Sequence, residues 1–399
     1  MIGSTRWVFT LGAATAITAL STDMSLPAQP TLARAFDVSS GDAQLTLSLF
    51  LLGFGFAQLL VGYLSDVWGR RPLLLGGLAV YVVASLGCAA SPSFGVLIGC
   101  RVLQGVGAAS GPVLARAMVR DTQQSTDVAR LMSIMLATLS IAPMIAPAIG
   151  GVVLDALGWR AVFATLVACG LALLWAVRGG LPETLPAERR TPPSPRGLVR
   201  NLARFFATPG TRLPMVICCA SFAGQFAYIA ASPFVLMAGH GVSSVAFSGY
   251  FAVTAGALMA GSLWNARRLR AGWTPTQMLG RGAVLLLLGG VLVLIGVRID
   301  ALGIAGFLVP MLIYFFGVGM ASPSAGALAM APVREIAGTA SAALGVSVMS
   351  AGAISSYATI ELGGSSPEAF ALVVAAMGAL AAALAGVIVL RARRTGAST

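Results

Sequence analysis

Gly62-Tyr-Leu-Ser-Asp66-Val-Trp-Gly69-Arg70-Arg71-Pro72 closes one apolar run, residues 44–64, and opens the next, residues 73–90. Its glycines permit a tight turn between two closely packed helices, and Pro72 suits the first turn of a helix. Asp66 is placed to accept hydrogen bonds from a neighbouring helix N-terminus. The arginine pair can engage Asp121, in Arg120-Asp121 at the end of a later run. Gly62, Asp66, Gly69, Arg70, Arg71 and Asp121 together predict a charge network that latches one conformation. A plain basic turn is the simpler reading of the same residues.

The alternation around this joint runs the length of the chain. Of 399 residues, 57% are hydrophobic and 10% charged, against roughly a quarter charged in soluble proteins. That much apolar surface cannot be hidden internally, so the solvent must be lipid. Backbone groups in hydrocarbon are satisfied within each helical span, and no ten-residue alternation of a β-barrel occurs. Apolar runs lie at 7–26, 44–64, 73–90, 94–115, 129–153, 160–178, 213–237, 246–265, 280–298, 301–320, 338–360 and 369–390. All basic residues are arginine; Arg34, Arg160 and Arg298 fall on one side, Arg101 within a run, and the rest on the other side. The positive-inside bias therefore predicts cytoplasmic termini and an even number of spans. The net charge of +12 is accounted for by this placement and implies no nucleic acid.

The longest joint divides the chain into a six-span bundle over 1–178, a linker over 179–212, and a second six-span bundle with a short basic tail over 213–399. The linker opens with Pro182, Pro186, Pro192, Pro193 and Pro195, and continues as an amphipathic basic segment, Gly197–Phe206. A helix there is expected to lie along the anionic cytoplasmic leaflet. A weakened copy of the first joint, Gly261-Ser-Leu-Trp-Asn265 followed by Arg267, Arg268 and Arg270, supports two related halves. The expected fold is all-α: twelve transmembrane helices in two pseudo-symmetric bundles.

Scarcity marks the chemistry. Of thirteen acidic residues only Asp23 falls inside a run. A carboxylate at depth costs about 2.5–3.5 kcal/mol on insertion scales, so it usually faces a cavity and has a purpose. Arg101, in the fourth run, lies at similar depth, so the two can pair or communicate. Burial favours a protonated carboxyl and a nearby guanidinium an ionised one, which suits proton coupling; a static ion pair, or an Asp23 side chain reaching outward past Pro27, fits the same residues. In the fifth run Pro143, Pro147, Gly150 and Gly151 combine a bendable helix with a small-residue face, read as a hinge or a seal against a span in the other half, with plain close packing as the alternative. Gln104, Gln225, Phe226 and Tyr228 are candidate cavity residues, with ordinary interhelical packing as the alternative. His240 reads as a solvated bystander, and the five cysteines as packing. No metal-ligand spacing, phosphate loop or nucleophile–base set is present, so no enzyme and no cofactor is expected.

The Gly62–Arg71 joint resembles the loop signature of the major facilitator superfamily. Arg101-Val-Leu-Gln104-Gly105-Val-Gly107 resembles the fourth-span motif of its proton-coupled antiporters, and Pro147-Ala-Ile-Gly150-Gly151 its antiporter motif. Ala142 and Ala146 stand where that motif usually has glycine. Ser21-Thr-Asp23-Met-Ser-Leu-Pro27-Ala-Gln-Pro30, Gln44-Leu-Thr-Leu-Ser48, Glu183-Thr-Leu-Pro-Ala-Glu-Arg-Arg190 and Ala337-Gly-Thr-Ala-Ser341 resemble the bicyclomycin/chloramphenicol-resistance branch of twelve-span drug:proton antiporters. The resemblance implies efflux of small, mostly apolar drugs by alternating access, with protons as the coupling ion. It assigns proton coupling to Asp23 and Arg101 and the latch to Asp66, Arg70, Arg71 and Asp121. The expected setting is a monomer in a bacterial inner membrane, with a drug-like small molecule and the lipid bilayer as partners. A metabolite transporter of the same fold and a non-transporting membrane sensor are the alternatives.

Overall fold

The computed structural model describes residues 5–122, 125–190, 192, 194–361 and 366–394. It is all-helical, with no strand among the described residues. The chain divides into two compact units, Met1–Val38 with Leu45–Leu198, and Ser39–Gln44 with Val199–Thr399.

The first unit is built from α1 (Thr5–Asp23), α2 (Gln29–Phe36), α3 (Ser40–Trp68), α4 (Arg70–Ala89), α5 (Phe94–Ala108), α6 (Ser110–Thr122), α7 (Ser125–Leu157) and α8 (Trp159–Gly180). Within it α4 packs on α5 and α8, and α1 on α6 and α7. Small residues let the helices meet main chain to main chain. A Cβ on Gly107 would stand 2.5 Å from the Tyr81 nitrogen, and one on Gly53 would stand 2.5 Å from the Val102 carbonyl oxygen. Association in lipid depends on such close packing, because lipid tails are as apolar as leucine.

The second unit holds α10 (Pro209–Ser232), α11 (Ser244–Arg270), α12 (Pro275–Gly296), α13 (Gly303–Met330), α14 (Ala337–Glu361) and α15 (Pro367–Arg394). Here α12 packs on α13 and α15, α10 on α14 and α15, and α11 on α13. Its start signals match the helix chemistry. Thr274 and Gln277 form a reciprocal capping box ahead of α12, with Pro275 in its first turn.

Among the described residues nine helical stretches are long and apolar enough to cross a membrane. One of them, Gly303–Thr359, covers α13 and most of α14, joined by a 3-10 segment over Ala331–Ile336. The first apolar run is shorter than the sequence suggests: α1 stops at Asp23 rather than residue 26, and α2 follows separately.

The basic segment of the linker is α9 (Pro195–Ala207), as its amphipathic pattern predicts. Its apolar face has a protein partner. Phe205 is fully buried in a cluster with Val333, Ala340 and Ala343, and Leu202 packs against that cluster. Arg204 bonds Glu335 at 2.7 Å. Val199 and Phe206 remain exposed.

Candidate functional site

Asp23 owes its position to the way α1 ends. Pro27 has no N–H to continue the helix, and the Ser25 hydroxyl donates back to the Thr22 carbonyl at 2.8 Å. The chain then turns through three-residue bonds: Leu26 N–H to Asp23 O, Ala28 N–H to Ser25 O, and Gln29 N–H to Leu26 O. This leaves the Asp23 side chain inside the protein, 5% exposed. Among the described residues its carboxylate accepts one hydrogen bond, from the Thr22 hydroxyl at 3.0 Å. Among the described residues no cation pairs with it.

Arg101 is fully buried on α5, and it does not form the ion pair with Asp23 that similar depth suggested. Its Nε donates to the Thr46 carbonyl at 2.9 Å. Nη1 donates to the Ser21 carbonyl at 3.2 Å and to Gln104 Oε1 at 2.6 Å. Nη2 reaches the Ser25 hydroxyl at 3.4 Å. The guanidinium also lies 4.6 Å from the centre of the Phe50 ring and 5.7 Å from that of Phe163. A buried charge is tolerated when hydrogen-bonded, and here carbonyls and ring faces take the place of a carboxylate. Arg101 therefore grips the chain two residues before and two residues after Asp23.

A ring of hydrogen bonds closes around this contact. The Gln104 amide nitrogen donates to Ser85 Oγ at 2.7 Å, Ser85 Oγ to the Tyr81 carbonyl at 2.7 Å, and the Tyr81 and Ser21 hydroxyls share a bond of 2.7 Å. Gln104 is thus a buried link with both ends of its amide engaged. Ser21, Ser25, Thr46, Tyr81 and Ser85 carry no sequence signal comparable to a lone charge. Hydroxyl residues bond readily to their own helix and so are common in apolar spans.

The joint at Gly69 is a single residue between α3 and α4. Gly69 adopts φ 101°, ψ 161°, a region essentially restricted to glycine. A Cβ there would also stand 2.5 Å from Glu183 Oε2. Arg70 brings both predicted carboxylates together: Nη1 to Asp66 at 2.5 Å and Nε to Asp121 at 2.9 Å, with Nη1 also on Ser65 Oγ at 2.6 Å. Three expectations change. Asp66 is bound to Arg70 and caps no helix; the carboxylate at the start of α4 is Glu183, which accepts from the Arg70 and Arg71 backbone N–H groups at 3.0 and 3.2 Å. Arg71 leaves the cluster and donates to the Arg178 carbonyl at 2.8 Å. Gly62 lies inside α3 with only Val113 within 4 Å, at 3.9 Å, so no turn or close approach requires it.

Glu183 also accepts from the backbone N–H groups of Thr184 and Leu185, and the Thr184 hydroxyl bonds Asp121 at 3.2 Å. Burial pushes the Glu183 carboxyl up, but the four backbone donors outweigh it and hold its pKa below the ordinary glutamate value. The readable signal was an acidic residue directly after the sixth span, flanked by Pro182 and Thr184. Its target lies 113 residues away in sequence, which no local pattern reveals.

Pro143 and Pro147 lie inside α7, as the run suggested. Gly150 is committed within its own unit, where a Cβ would collide with the Met24 main chain, beside Asp23. That contact is the close packing the small-residue face allows. Gly151 is buried on the same helix. In the second unit Tyr228 is fully buried among Phe251, Phe307, Phe315 and Phe370, with ring centres 5.1–6.5 Å away. Phe226 packs against Gly352 and Phe222. Both pack as core residues, their ring faces buried against other aromatic rings, and the Tyr228 hydroxyl accepts from the Thr254 hydroxyl at 3.5 Å. Gln225 differs: its Oε1 is buried with no hydrogen-bond partner among the described residues. His240 is held rather than free, with Nδ1 2.9 Å from the Val235 carbonyl.

Residues 11–356 match the Major Facilitator Superfamily. The chain is 30% identical over 321 residues to Multidrug resistance protein D of Escherichia coli (strain K12), covering 80% of this chain and 79% of that protein. It is 32% identical over 338 residues to the Chloramphenicol resistance protein of Pseudomonas aeruginosa, covering 82% and 77%. The crystal structure of a D-xylose-proton symporter matches with a TM-score of 0.75 over 96% of this chain and 97% of that one; at 17% identity the likeness is one of fold.

Proposed function

The chain belongs to the Major Facilitator Superfamily, and from that premise we propose that it exports small, mostly apolar drug-like compounds in exchange for protons. It does so as a monomer of twelve spans, with both termini in the cytoplasm of a bacterial cell. The arginine bias supports the orientation. The helices α1 and α7, together with the separation of α13 from α14, support the count. The names of the relatives above support drug efflux over metabolite transport.

One observation carries the coupling: the Asp23 carboxylate is buried, bears no counter-ion among the described residues, and sits on a segment gripped on both sides by Arg101. An acid in that setting can hold a proton without a bound cation competing for it. A shift of the Ser21–Ser25 segment changes its hydration, and so its proton affinity, at once. Protonation from outside accompanies drug release by alternating access, and the return releases the proton inside. One charge crossing about 100 mV yields roughly 2.3 kcal/mol, enough for about a fifty-fold gradient of an uncharged substrate.

The test uses everted membrane vesicles with an imposed pH gradient and radiolabelled chloramphenicol. Wild-type vesicles accumulate the label and lose it when the gradient is collapsed. Asp23→Asn is expected to abolish gradient-driven accumulation while the protein still inserts at normal abundance. Equal accumulation by Asp23→Asn and wild type would end the proposal.

A further inference from the structure

Near the middle of the second unit α12 and α15 touch through their backbones: a Cβ on Gly290 would meet the Ala375 Cα at 2.8 Å, and one on Gly378 the Leu286 carbonyl oxygen at 2.5 Å. Toward the start of α12 and the end of α15 they leave a cavity of about 810 Å³ between them. Gly386 lines it with nothing within 4 Å of where its Cβ would stand. This is the volume of a small-molecule site.

Its lining has two characters. At the mouth stand Arg281 and Arg393, both exposed, with Thr276 and Gln277 beside them as further donors. Neither arginine has a carboxylate partner among the described residues, and no acidic residue lines the cavity. Arg281 is fixed in place by Trp273, its guanidinium 3.8 Å from the ring centre. One turn further along each helix the lining becomes apolar, with Val284 on α12 and Val389 on α15. The change from cationic to apolar therefore takes about 5 Å, the distance over which a leaflet passes from headgroup to acyl chain.

A free anion would use the arginines and leave the apolar wall empty. A neutral amphiphile would use the wall and leave two arginines unmatched. We infer that the α12–α15 groove binds an anionic phospholipid, its phosphate between Arg281 and Arg393 and its adjoining acyl chain along Val284, Gly386 and Val389. This rests on the membrane orientation proposed above, which sets the arginine-rich end in the inner leaflet, and not on the identity of the drug or the role of Asp23.

The experiment uses the purified full-length chain in phosphatidylcholine nanodiscs, titrated with phosphatidylglycerol carrying brominated acyl chains. The readout is the tryptophan quenching that disappears in Trp273→Phe. The wild type is expected to show a saturable component. Arg281→Gln/Arg393→Gln should need roughly ten- to thirtyfold more lipid, as expected for two basic groups at an anionic surface. Arg281→Lys/Arg393→Lys should retain most of the binding. Gly386→Leu fills the groove from a position with open space, and should lose the component while keeping both charges. Circular dichroism checks that each variant is folded. Equal quenching by brominated phosphatidylcholine, full competition by millimolar inorganic phosphate, or an unchanged titration in Gly386→Leu would each overturn the inference. Chloramphenicol uptake by the same variants separates the two readings, since loss of lipid quenching with uptake retained leaves the export proposal standing.

Discussion

Arg101 shows how much a single charge can organise. Its donors reach two main-chain carbonyls, an amide and a hydroxyl on three different segments, and it sits against two ring faces. Only a planar fork with separated N–H groups can satisfy that set; a lysine presents three donors from one atom. Arg101→Lys should therefore leave the Ser21 and Thr46 carbonyls without their charged donor and lower stability by about 1–3 kcal/mol. Vesicle uptake should fall with it, although Asp23 is intact. A melting curve and an uptake assay on the same preparation check this; a lysine variant matching the wild type in both would show that the fork geometry is dispensable. The two charges were legible from their scarcity in apolar runs. Their separation was not, because depth along two helices says nothing about which way each side chain turns.

The α3–α4 joint is likewise organised by contacts that a single residue makes possible. Two helices of the first unit begin after a single glycine of nearly the same backbone conformation, Gly69 at φ 101° and Gly158 at φ 81°. Both should resist alanine by about 1–3 kcal/mol for the backbone alone. Gly158 has nothing within 4 Å of its Cβ position, whereas Gly69 faces Glu183 and Arg190. Gly69→Ala should consequently lower the melting temperature more than Gly158→Ala, and the excess should shrink in a Glu183→Ala background. Equal effects in the wild-type background would mean that Glu183 does not hold the start of α4. An anion at a helix N-terminus is favourable in general. Here it comes from the segment after α8, so the joint and the start of the linker form one cluster. The ionic residues were legible as a motif, while the cap was not, since Glu183 reads locally as part of a proline-rich connection.

At the scale of the molecule the two units use related joints differently. In the second unit a Cβ on Gly261 would collide with the Phe316 main chain, and Asn265 accepts from the Ser324 hydroxyl at 3.0 Å. A neutral, buried hydrogen bond stands where the first unit has Asp66 and Arg70. Green fluorescent protein fused after residue 399 should fluoresce, and alkaline phosphatase fused there should be inactive; the opposite pair of results would invert the proposed topology. Primary structure alone carries the helical class, the lipid environment and the residues whose charge sets them apart. Those follow from transfer free energies summed over each run, which composition and spacing contain in full. That Arg101 grips the chain around Asp23 rather than its carboxylate, that Glu183 caps α4, and that Tyr228 and Phe226 pack in the core emerge only from the folded arrangement. Those choices depend on which helix faces which, and interhelical packing is fixed by contacts between residues far apart in the chain.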